Sequence, residues 1–224
     1  MVRRNLGLPH RLISKNFNCV IWDKMSKSPK ISALSISENN EDLKFAFDEN
    51  EWKIYTNLIE KSDIKTSSMG RFFDAVSFVL GYEKPIFFEG ESAMWLEKIS
   101  QEKFPTDFHR LKDYLKNDEF ENIPTKKIFS KILEEKMSGK NAGEIGLNFH
   151  YTLIKSIEKI AERFAIKEIA FSGGVWQNAL LVDLAIEFLG DKFELHFHEK
   201  LSPNDENISF GQLNYYLNYL KFEV

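Results

Sequence analysis

The fold is decided by residues 171–181, "FSGGVWQNALL", where two glycines separate a short apolar run from a segment with helical periodicity. The run "KEIAF" (167–171) predicts a short buried strand that leads into the glycines. The segment "WQNALLVDLAIEFLG" (176–190) predicts a helix that ends at Gly190. The two glycines therefore lie at a turn that joins a strand to a helix.

The regions on either side of this turn continue the alternation. Apolar residues at helical spacing in "NFHYTLIKSIEKIAERFAI" (148–166) predict a helix, and Asn148 is its candidate N-cap. Further along, "KFELHFH" (192–198) alternates like a strand, and "FGQLNYYLNYLKF" (210–222) predicts a final helix. The order helix, strand, helix, strand, helix implies neighbouring parallel strands joined by right-handed crossovers. We therefore expect an α/β layer in this part of the chain.

The region before residue 147 is predicted to be mainly helical. Apolar stripes in "DENEWKIYTNLIEKS" (48–62) and "TSSMGRFFDAVSFVLGY" (66–82) predict two helices, and a third is predicted to follow Gly90. The charged segment 103–146 predicts two short helices around "IFSKILEEK". The first 60 residues contain short apolar patches such as "NCVIW" and "ISALSI", which predict one or two strands or a hairpin.

The composition indicates a globular protein, with 43% hydrophobic and 29% charged residues. A net charge of -4 disfavours the basic track of a general nucleic-acid binder, so we expect no nucleic-acid partner. The single cysteine, Cys19, excludes an internal disulfide and a zinc finger built on cysteine pairs. We expect a cytoplasmic protein without a membrane partner, because no apolar run approaches the roughly 20 residues of a transmembrane helix and Gly7 and Pro9 interrupt the N-terminus.

The turn at Ser172, Gly173 and Gly174 has two interpretations. A strand that leads through "SGGV" into a helix presents backbone N–H groups around a concave turn, and glycines let an oxyanion approach closely. The other interpretation is a tight strand-to-helix turn without a ligand. The turn lacks the lysine of a Walker loop and the third glycine of a dinucleotide fingerprint, so it matches neither common motif.

The start of the helix in "TSSMGRFFDA" is a second candidate for a ligand contact. Ser67 and Ser68 are candidate caps, and Gly70 lies in the first turn. A glycine inside a helix costs about 1 kcal/mol relative to alanine, so a ligand or a close-packed neighbour should explain Gly70. Asp74, one turn later, can accept hydrogen bonds from a ribose, or it can be an ordinary exposed or capping carboxylate.

Polar residues near the C-terminus give a third set of candidates. Asn204 and Asp205 follow a proline in a loop, where the carboxylate can point at a metal or a phosphate, or can serve as a turn or N-cap residue. His196 and His198 are two apart on a predicted strand and so share one side. They are either metal ligands or part of a solvated strand face.

Five blocks of the sequence resemble, in the same order, the C-terminal part of the HypF family of carbamoyltransferases, which are hydrogenase maturation proteins. The blocks are "TSSMGRFFDAVSFVLGY", "FFEGESAMWLE", "NFHYTLIKSIEKIA", "FSGGVWQNALL" and "SPNDENISFGQ". This resemblance defines a domain at 48–224, whereas residues 1–47 match no block and stay unassigned. The last domain of the family is similar to the TsaD enzymes of the actin and sugar-kinase superfamily. The resemblance therefore implies a helix-rich, ribonuclease-H-like α/β subdomain with a mixed sheet flanked by helices.

The resemblance also implies a site for ATP or carbamoyl-adenylate. Its phosphate side is assigned to the turn at Ser172, Gly173 and Gly174, and Asn178 is expected to reach the nucleotide or carbamoyl-adenylate from the following helix. Its ribose or acyl side is assigned to Ser68, Gly70 and Asp74. Asp205 is the position from which this half contributes a carboxylate to a divalent metal.

The family transfers a carbamoyl group, through an adenylate, to a cysteine of the protein HypE, which makes a HypE-like protein an expected partner and a homodimer a second expectation. The family's metal site also uses an H-x-x-x-H pair, which no two histidines of this sequence form. Glu206 and Asn207 stand where the family has two glycines. We therefore expect little or no carbamoyl transfer from this chain alone, and whether it is an enzyme stays open. The alternative is a non-catalytic interaction protein that keeps only the fold.

Overall fold

A computed structural model describes residues 17–19, 22–37, 40–105 and 108–220. The first half contains β1 (Phe17–Asn18), α1 (Trp22–Lys27), α2 (Pro29–Ile36), α3 (Glu49–Lys61), β2 (Lys65–Thr66), α4 (Met69–Leu80) and α5 (Glu91–Gln101). The second half contains α6 (Thr125–Met137), α7 (Ala142–Arg163), β3 (Glu168–Ala170), α8 (Ala179–Leu189), β4 (Glu194–His196) and α9 (Ile208–Tyr215). Short 3-10 helices lie at Asn40–Ala46, Phe108–Arg110, Gly174–Gln177 and Asp205–Asn207, and a π-helical turn, Tyr216–Leu220, continues α9.

Helix α4 lies at the centre of the core. Every residue from Phe72 to Leu80 is buried, because the sequence places apolar or small side chains, with the exception of Asp74, on all sides of the helix. The helix begins at Ser68, whose hydroxyl accepts the N–H of Arg71 at 3.3 Å, and it ends at Gly81, which has a φ of 124°. Helices α2, α5, α6 and α7 pack around α4 and so take their positions from it.

Helix α7 joins α4 to α5. Phe149 of α7 meets the rings of Phe72 and Phe73 edge to face, with centroids 5.1 and 5.0 Å apart. On its α5 side, a Cβ added at Gly143 would overlap the carbonyl oxygen of Ile99, and the same Cβ at Gly146 would overlap a serine hydroxyl. The two glycines therefore let the helices approach at backbone distance.

The strands form two small sheets in the described part of the chain. Strands β1 and β2 pair antiparallel, with Phe17 opposite Thr66. Strands β3 and β4 pair parallel, with Ile169 opposite Leu195, which confirms the predicted parallel neighbours on either side of α8. The helix-rich α/β class is confirmed as well. Within the described residues, no helix combines the length and the apolar character that crossing a bilayer requires.

Two predictions near the N-terminus and in the middle of the chain are wrong. The segment "ISALSI" (31–36), predicted as a strand, lies in helix α2, which begins at Pro29. All six of its residues are buried, so no exposed polar face distinguishes helical from strand periodicity in its sequence. In its described residues, the region 103–146 contains one long helix, α6, one short 3-10 turn and the beginning of α7, in place of two short helices.

Two predictions near the glycine turn also need correction. Helix α7 begins at Ala142 and is capped by Asn141, whose side chain accepts two backbone N–H groups, so Asn148 is not its N-cap. The glycines needed for contact with α5 interrupt the apolar pattern and hide this start. Strand β3 is not buried, since Glu168 and Ala170 are exposed and only the Ile169 side packs on the core.

The close approach of α5 and α7 predicts the effect of a single methyl group. Gly143→Ala should lower the free energy of unfolding by about 1–3 kcal/mol, because its Cβ meets a backbone carbonyl that cannot rotate away. Gly70→Ala is the matched control, since the nearest atom to its added Cβ is the Ser68 hydroxyl at 3.7 Å. It should be neutral or stabilising by up to about 1 kcal/mol. Urea denaturation of both variants measures the difference, and equal effects would contradict the packing described.

Candidate functional site

The glycine turn (residues 172–177) and the Asp205 loop (residues 199–207) lie against each other. The N–H of Gly173 donates to the carbonyl oxygen of Pro203 at 2.7 Å, and the side-chain amide of Gln177 donates to the Ser202 hydroxyl at 3.3 Å. The structure thus brings together two of the segments that the sequence singles out for ligand binding. Both follow the carboxyl ends of the parallel strands β3 and β4, the edge at which open α/β sheets bind ligands.

The glycines of the turn present bare backbone. Gly173 has a φ of 100° and a ψ of 155°, a region that is essentially restricted to glycine. A Cβ added there would have no described atom within 4 Å, and one added at Gly174 would find only the Gln177 side-chain oxygen, at 3.9 Å. One side of the turn is therefore open to an approaching group.

The backbone amides of the turn are partly used by the protein itself. Besides Gly173, which donates to the Asp205 loop, Trp176 donates its N–H to the Gly173 carbonyl at 3.0 Å. In the part of the chain that the structure describes, the amides of Gly174 and Val175 have no protein acceptor. These two adjacent amides, together with the amide of Ser172, which also has no acceptor among the described residues, are the ones that an anion can bind at this turn.

The N-terminus of α8 is already capped. Glu97 of α5 accepts the N–H groups of Ala179 at 2.8 Å and Leu180 at 3.4 Å. The carboxylate meets the positive end of the helix and satisfies amides that would otherwise be available to a ligand. The predicted anion site is thereby narrowed to the glycine turn. Local sequence gives no signal for this role of Glu97, because its partners are more than 80 residues away.

Asn178 is held between α8 and α7. It is 7% exposed; its side-chain oxygen accepts the N–H of Leu181 at 2.9 Å, and its side-chain amide donates to His150 Nε2 at 3.2 Å. His150 Nδ1 lies 2.7 Å from the carbonyl oxygen of Gly146, which can only accept, so the ring proton is on Nδ1 and Nε2 is the acceptor. Asn178 therefore anchors the start of α8, and its contact with a nucleotide stays a prediction.

His150 is neutral in the folded protein. The side chain is fully buried, and its ring meets those of Phe73 and Phe149 edge to face. Burial lowers the pKa of His150 to about 4, although the bond to Gly146 acts in the opposite direction. The ring of Phe73 thus connects α4 to the hydrogen-bonded pair that fixes the end of the glycine turn.

The candidates on α4 differ in exposure. Ser68 and Gly70 are half-buried at the start of the helix, and none of the described atoms packs closely on Gly70. Asp74 is only 3% exposed; it accepts the Ser92 hydroxyl, and the Arg71 guanidinium lies 2.7 Å from its other oxygen. Burial raises the pKa of Asp74 to about 6, against the opposing effect of Arg71. Asp74 is thus neither exposed nor a cap.

The C-terminal candidates do not form a metal centre within the described residues. Asp205 is exposed, and the neighbouring Asn204 accepts the N–H of Glu206 at 3.1 Å as a turn residue. His196 faces two glutamates, while His198 Nε2 lies 3.0 Å from the Ser172 hydroxyl. No three His, Cys, Asp or Glu side chains of the described chain are close enough to hold an ion. The donors around Asp205 therefore do not fit a metal on their own.

Comparison with known proteins identifies the family. Residues 13–212 match the family described as "Carbamoyltransferase, Kae1-like Domain, second subdomain". The chain belongs to this family. The match confirms the resemblance to HypF, and it includes most of the segment 1–47 that sequence analysis left unassigned. The domain boundary at residue 48 stays a prediction.

Two curated proteins are similar to the chain. Carbamoyltransferase HypF of Synechocystis sp. is 31% identical over 154 residues, and the probable carbamoyltransferase HypF of Methanocaldococcus jannaschii is 28% identical over 154 residues. Each alignment covers 66% of this chain and 19% of the relative. The chain thus spans about a fifth of the length of these relatives.

Two solved structures share the fold. Full-length HypF in a phosphate- and nucleotide-bound form aligns with a TM-score of 0.75 and 30% identity, over 89% of this chain and 27% of the other. HypF of T. kodakarensis aligns with a TM-score of 0.73 over 93% of this chain and 30% of the other. At 22% identity, the second likeness shows the fold alone.

Two buried groups of the site are expected to give the free energy of unfolding opposite pH dependences. Between pH 6.5 and about 4, the unfolded chain protonates His150 and the folded chain does not, so acidification destabilises the fold. Between pH 3.8 and about 6, the folded chain holds the proton on Asp74 and the unfolded chain does not, so acidification stabilises the fold.

Variants separate these two contributions. Relative to wild type, the stability difference between pH 7 and pH 5 should shrink by about 2 kcal/mol in His150→Phe and grow by about 1 kcal/mol in Asp74→Asn. Urea denaturation at both pH values measures it. If the stability difference between pH 7 and pH 5 were the same in both variants as in the wild type, neither group would titrate as its burial requires.

Proposed function

We propose that this chain forms one side of the nucleotide site of a HypF-type carbamoyltransferase, with the glycine turn bound to the phosphates of ATP or carbamoyl-adenylate. The observation that carries the proposal is that the amides of Gly174 and Val175, on an open turn, have no acceptor among the residues that the structure describes. It is supported by the similarity to a HypF structure described as phosphate- and nucleotide-bound.

The geometry of the turn suits a phosphate oxygen. Amide dipoles stabilise negative charge without a proton, and the missing Cβ atoms let the oxygen approach the backbone. The hydroxyl of Ser172 and the ring of His198 are both exposed beside the turn and can donate to the same group. In this proposal, Asn178 and Glu97 hold the turn in place and do not themselves bind the phosphate.

The start of α4 forms the ribose or acyl side of the proposed site. Packing does not explain Gly70, because no described atom crowds its would-be side chain, which leaves the ligand explanation. Helix α4 contacts the 3-10 helix Gly174–Gln177, which supports a site that these two elements share. Asp74 supports this end of α4 through Arg71 and Ser92, and we assign it no contact with the nucleotide.

Transfer of the carbamoyl group needs more than this chain provides. A carbamoyl-adenylate must be shielded from water, whereas the glycine turn is exposed, and Asp205 has no companion ligands for a metal. We therefore propose that the chain binds the nucleotide but transfers little or no carbamoyl group by itself. A HypE-like protein would supply the acceptor thiol, which places the activity in hydrogenase maturation.

A second candidate function is that of an interaction protein that keeps the fold without the ligand. The observation that favours it is the number of amides already bonded within the protein. Gly173 donates to Pro203, and the first amides of α8 bind Glu97 and Asn178. A measurement of ATP binding distinguishes the nucleotide-binding function from that of an interaction protein.

Gly174→Val tests the turn with little disturbance of the fold. Its backbone lies outside the left-handed region, and an added Cβ has no neighbour closer than 3.9 Å. The valine should weaken binding of ATP, measured by calorimetry with Mg²⁺, by at least about tenfold, because its methyl groups occupy the approach to the amides. The melting temperature should stay within a few degrees.

Asn117→Val is the matched control, since it adds the same side chain at an exposed position on another loop. It should bind ATP like the wild type. If Gly174→Val bound ATP as tightly as the wild type, the proposal that this turn binds the phosphates would be wrong. No heat from the folded wild type at millimolar ATP would support the interaction protein.

A further inference from the structure

Ser172 and His198 form a hydrogen-bonded pair beyond the ends of β3 and β4. The register of the two strands pairs Ala170 with His196, and the N–H of Phe171 donates to the His196 carbonyl at 2.9 Å, so the strands stay paired past their last ladder position. Two residues beyond this position on each strand, His198 Nε2 lies 3.0 Å from the Ser172 hydroxyl oxygen. The parallel register therefore sets this contact, and both residues are exposed.

The pair has the geometry of a nucleophile and its base. A serine hydroxyl becomes a nucleophile when a nitrogen of histidine within about 2.6–3.2 Å accepts its proton. His198 Nε2 can accept this proton when Nδ1 carries the proton of the neutral ring. Ser172 also lies on a sharp strand-to-helix turn, which is where α/β hydrolases expose their nucleophilic serine. Its partner and its position therefore both indicate that Ser172 can attack a carbonyl carbon.

Backbone amides beside Ser172 can stabilise the oxyanion that such an attack creates. The N–H groups of Ser172, Gly174 and Val175 have no acceptor among the described residues. They belong to one tight turn, which the N–H of Trp176 closes by donating to the Gly173 carbonyl at 3.0 Å, so they lie close to the hydroxyl. Donors that are already fixed in position stabilise an oxyanion without reorganisation. The turn thus combines a nucleophile, a base and oxyanion donors.

The same geometry restricts the substrate to activated acyl groups. In the part of the chain that the structure describes, Nδ1 of His198 has no hydrogen-bond partner. The imidazole therefore lacks the carboxylate that orients the base of a full triad and stabilises its charged form. A dyad of this kind needs a substrate with a good leaving group, such as an aryl ester. The open side of the turn at Gly173 and Gly174 gives a small ester and water access to it.

We propose that Ser172 and His198 form a catalytic dyad that hydrolyses small activated esters. The Ser172 oxygen bonds to the acyl carbon, its proton moves to His198 Nε2, and the carbonyl oxygen becomes an oxyanion at the open amides. The bond from the acyl carbon to the leaving oxygen then breaks, and His198 returns the proton to that oxygen. In the second half, a water molecule gives a proton to His198 and attacks the acyl-serine. The Ser172 oxygen leaves, takes the proton from His198, and a carboxylic acid is released.

Hydrolysis of p-nitrophenyl acetate by the full chain, without nucleotide or metal, tests the dyad. Ser172→Ala removes the nucleophile, and His198→Gln replaces the base with a polar side chain. Each should lower kcat/KM at least about tenfold, since a positioned base typically contributes roughly 10²–10⁴-fold. Both residues are exposed, so the melting temperatures should stay within a few degrees of the wild type. Mass spectrometry after acid quenching should find the acetyl group of the wild type on Ser172.

His196→Gln is the matched control, because it removes another exposed imidazole two residues before His198. It should hydrolyse the ester like the wild type. A rate that falls in His198→Gln but not in Ser172→Ala would assign the hydrolysis to the imidazole alone and overturn the dyad. Equal rates in the wild type and His198→Gln, an equal fall in His196→Gln, or a Ser172 without an acetyl group would overturn it too. The reaction needs no nucleotide, so its failure and a failure to bind ATP are separate results.

Discussion

The burial of α4 is the constraint on which the rest of the structure depends. Nine consecutive residues of this helix are buried, so each neighbouring helix must present an apolar stripe to it. The site is positioned by the same contact. The ring of Phe73 packs on His150, the imidazole accepts the amide of Asn178, and Asn178 caps the helix that follows the glycine turn. A hydrophobic helix at the centre thus determines where a polar turn lies at the edge.

Local patterns predicted much of the fold. The apolar stripes of α3 and α4, the serine cap of α4, and the strand-turn-helix order around Gly173 all follow from side chains within one or two turns of each other. The strand predicted at 31–36 is wrong because the helix there is buried on all sides, and helical periodicity is recognised from an exposed polar face. The predicted start of α7 is wrong because Gly143 and Gly146, which interrupt the apolar pattern, are needed for a contact with α5, a helix that is distant in sequence.

The site was predictable only in part. The sequence predicted ligand contacts for the glycine turn and the Asp205 loop, and the structure shows these two segments in contact with each other. The sequence gave no indication that Glu97 caps α8 or that the Pro203 carbonyl accepts the N–H of Gly173. It also gave no indication that Asp74 is buried in an ion pair with Arg71. These partners come from separate elements, and only tertiary packing sets how many backbone groups remain for a ligand. A motif specifies the available atoms, whereas the fold decides which of them are free.

The glycine contacts between α5 and α7 have a mechanical consequence. Sliding of α5 along α7 would move the Ile99 carbonyl away from Gly143 and against neighbouring positions of α7 that carry a side chain, so the close contact resists this motion. Glu97 extends this lock from α5 to α8. We therefore expect these three helices to move together, so that any hinge that closes over a bound molecule lies outside them.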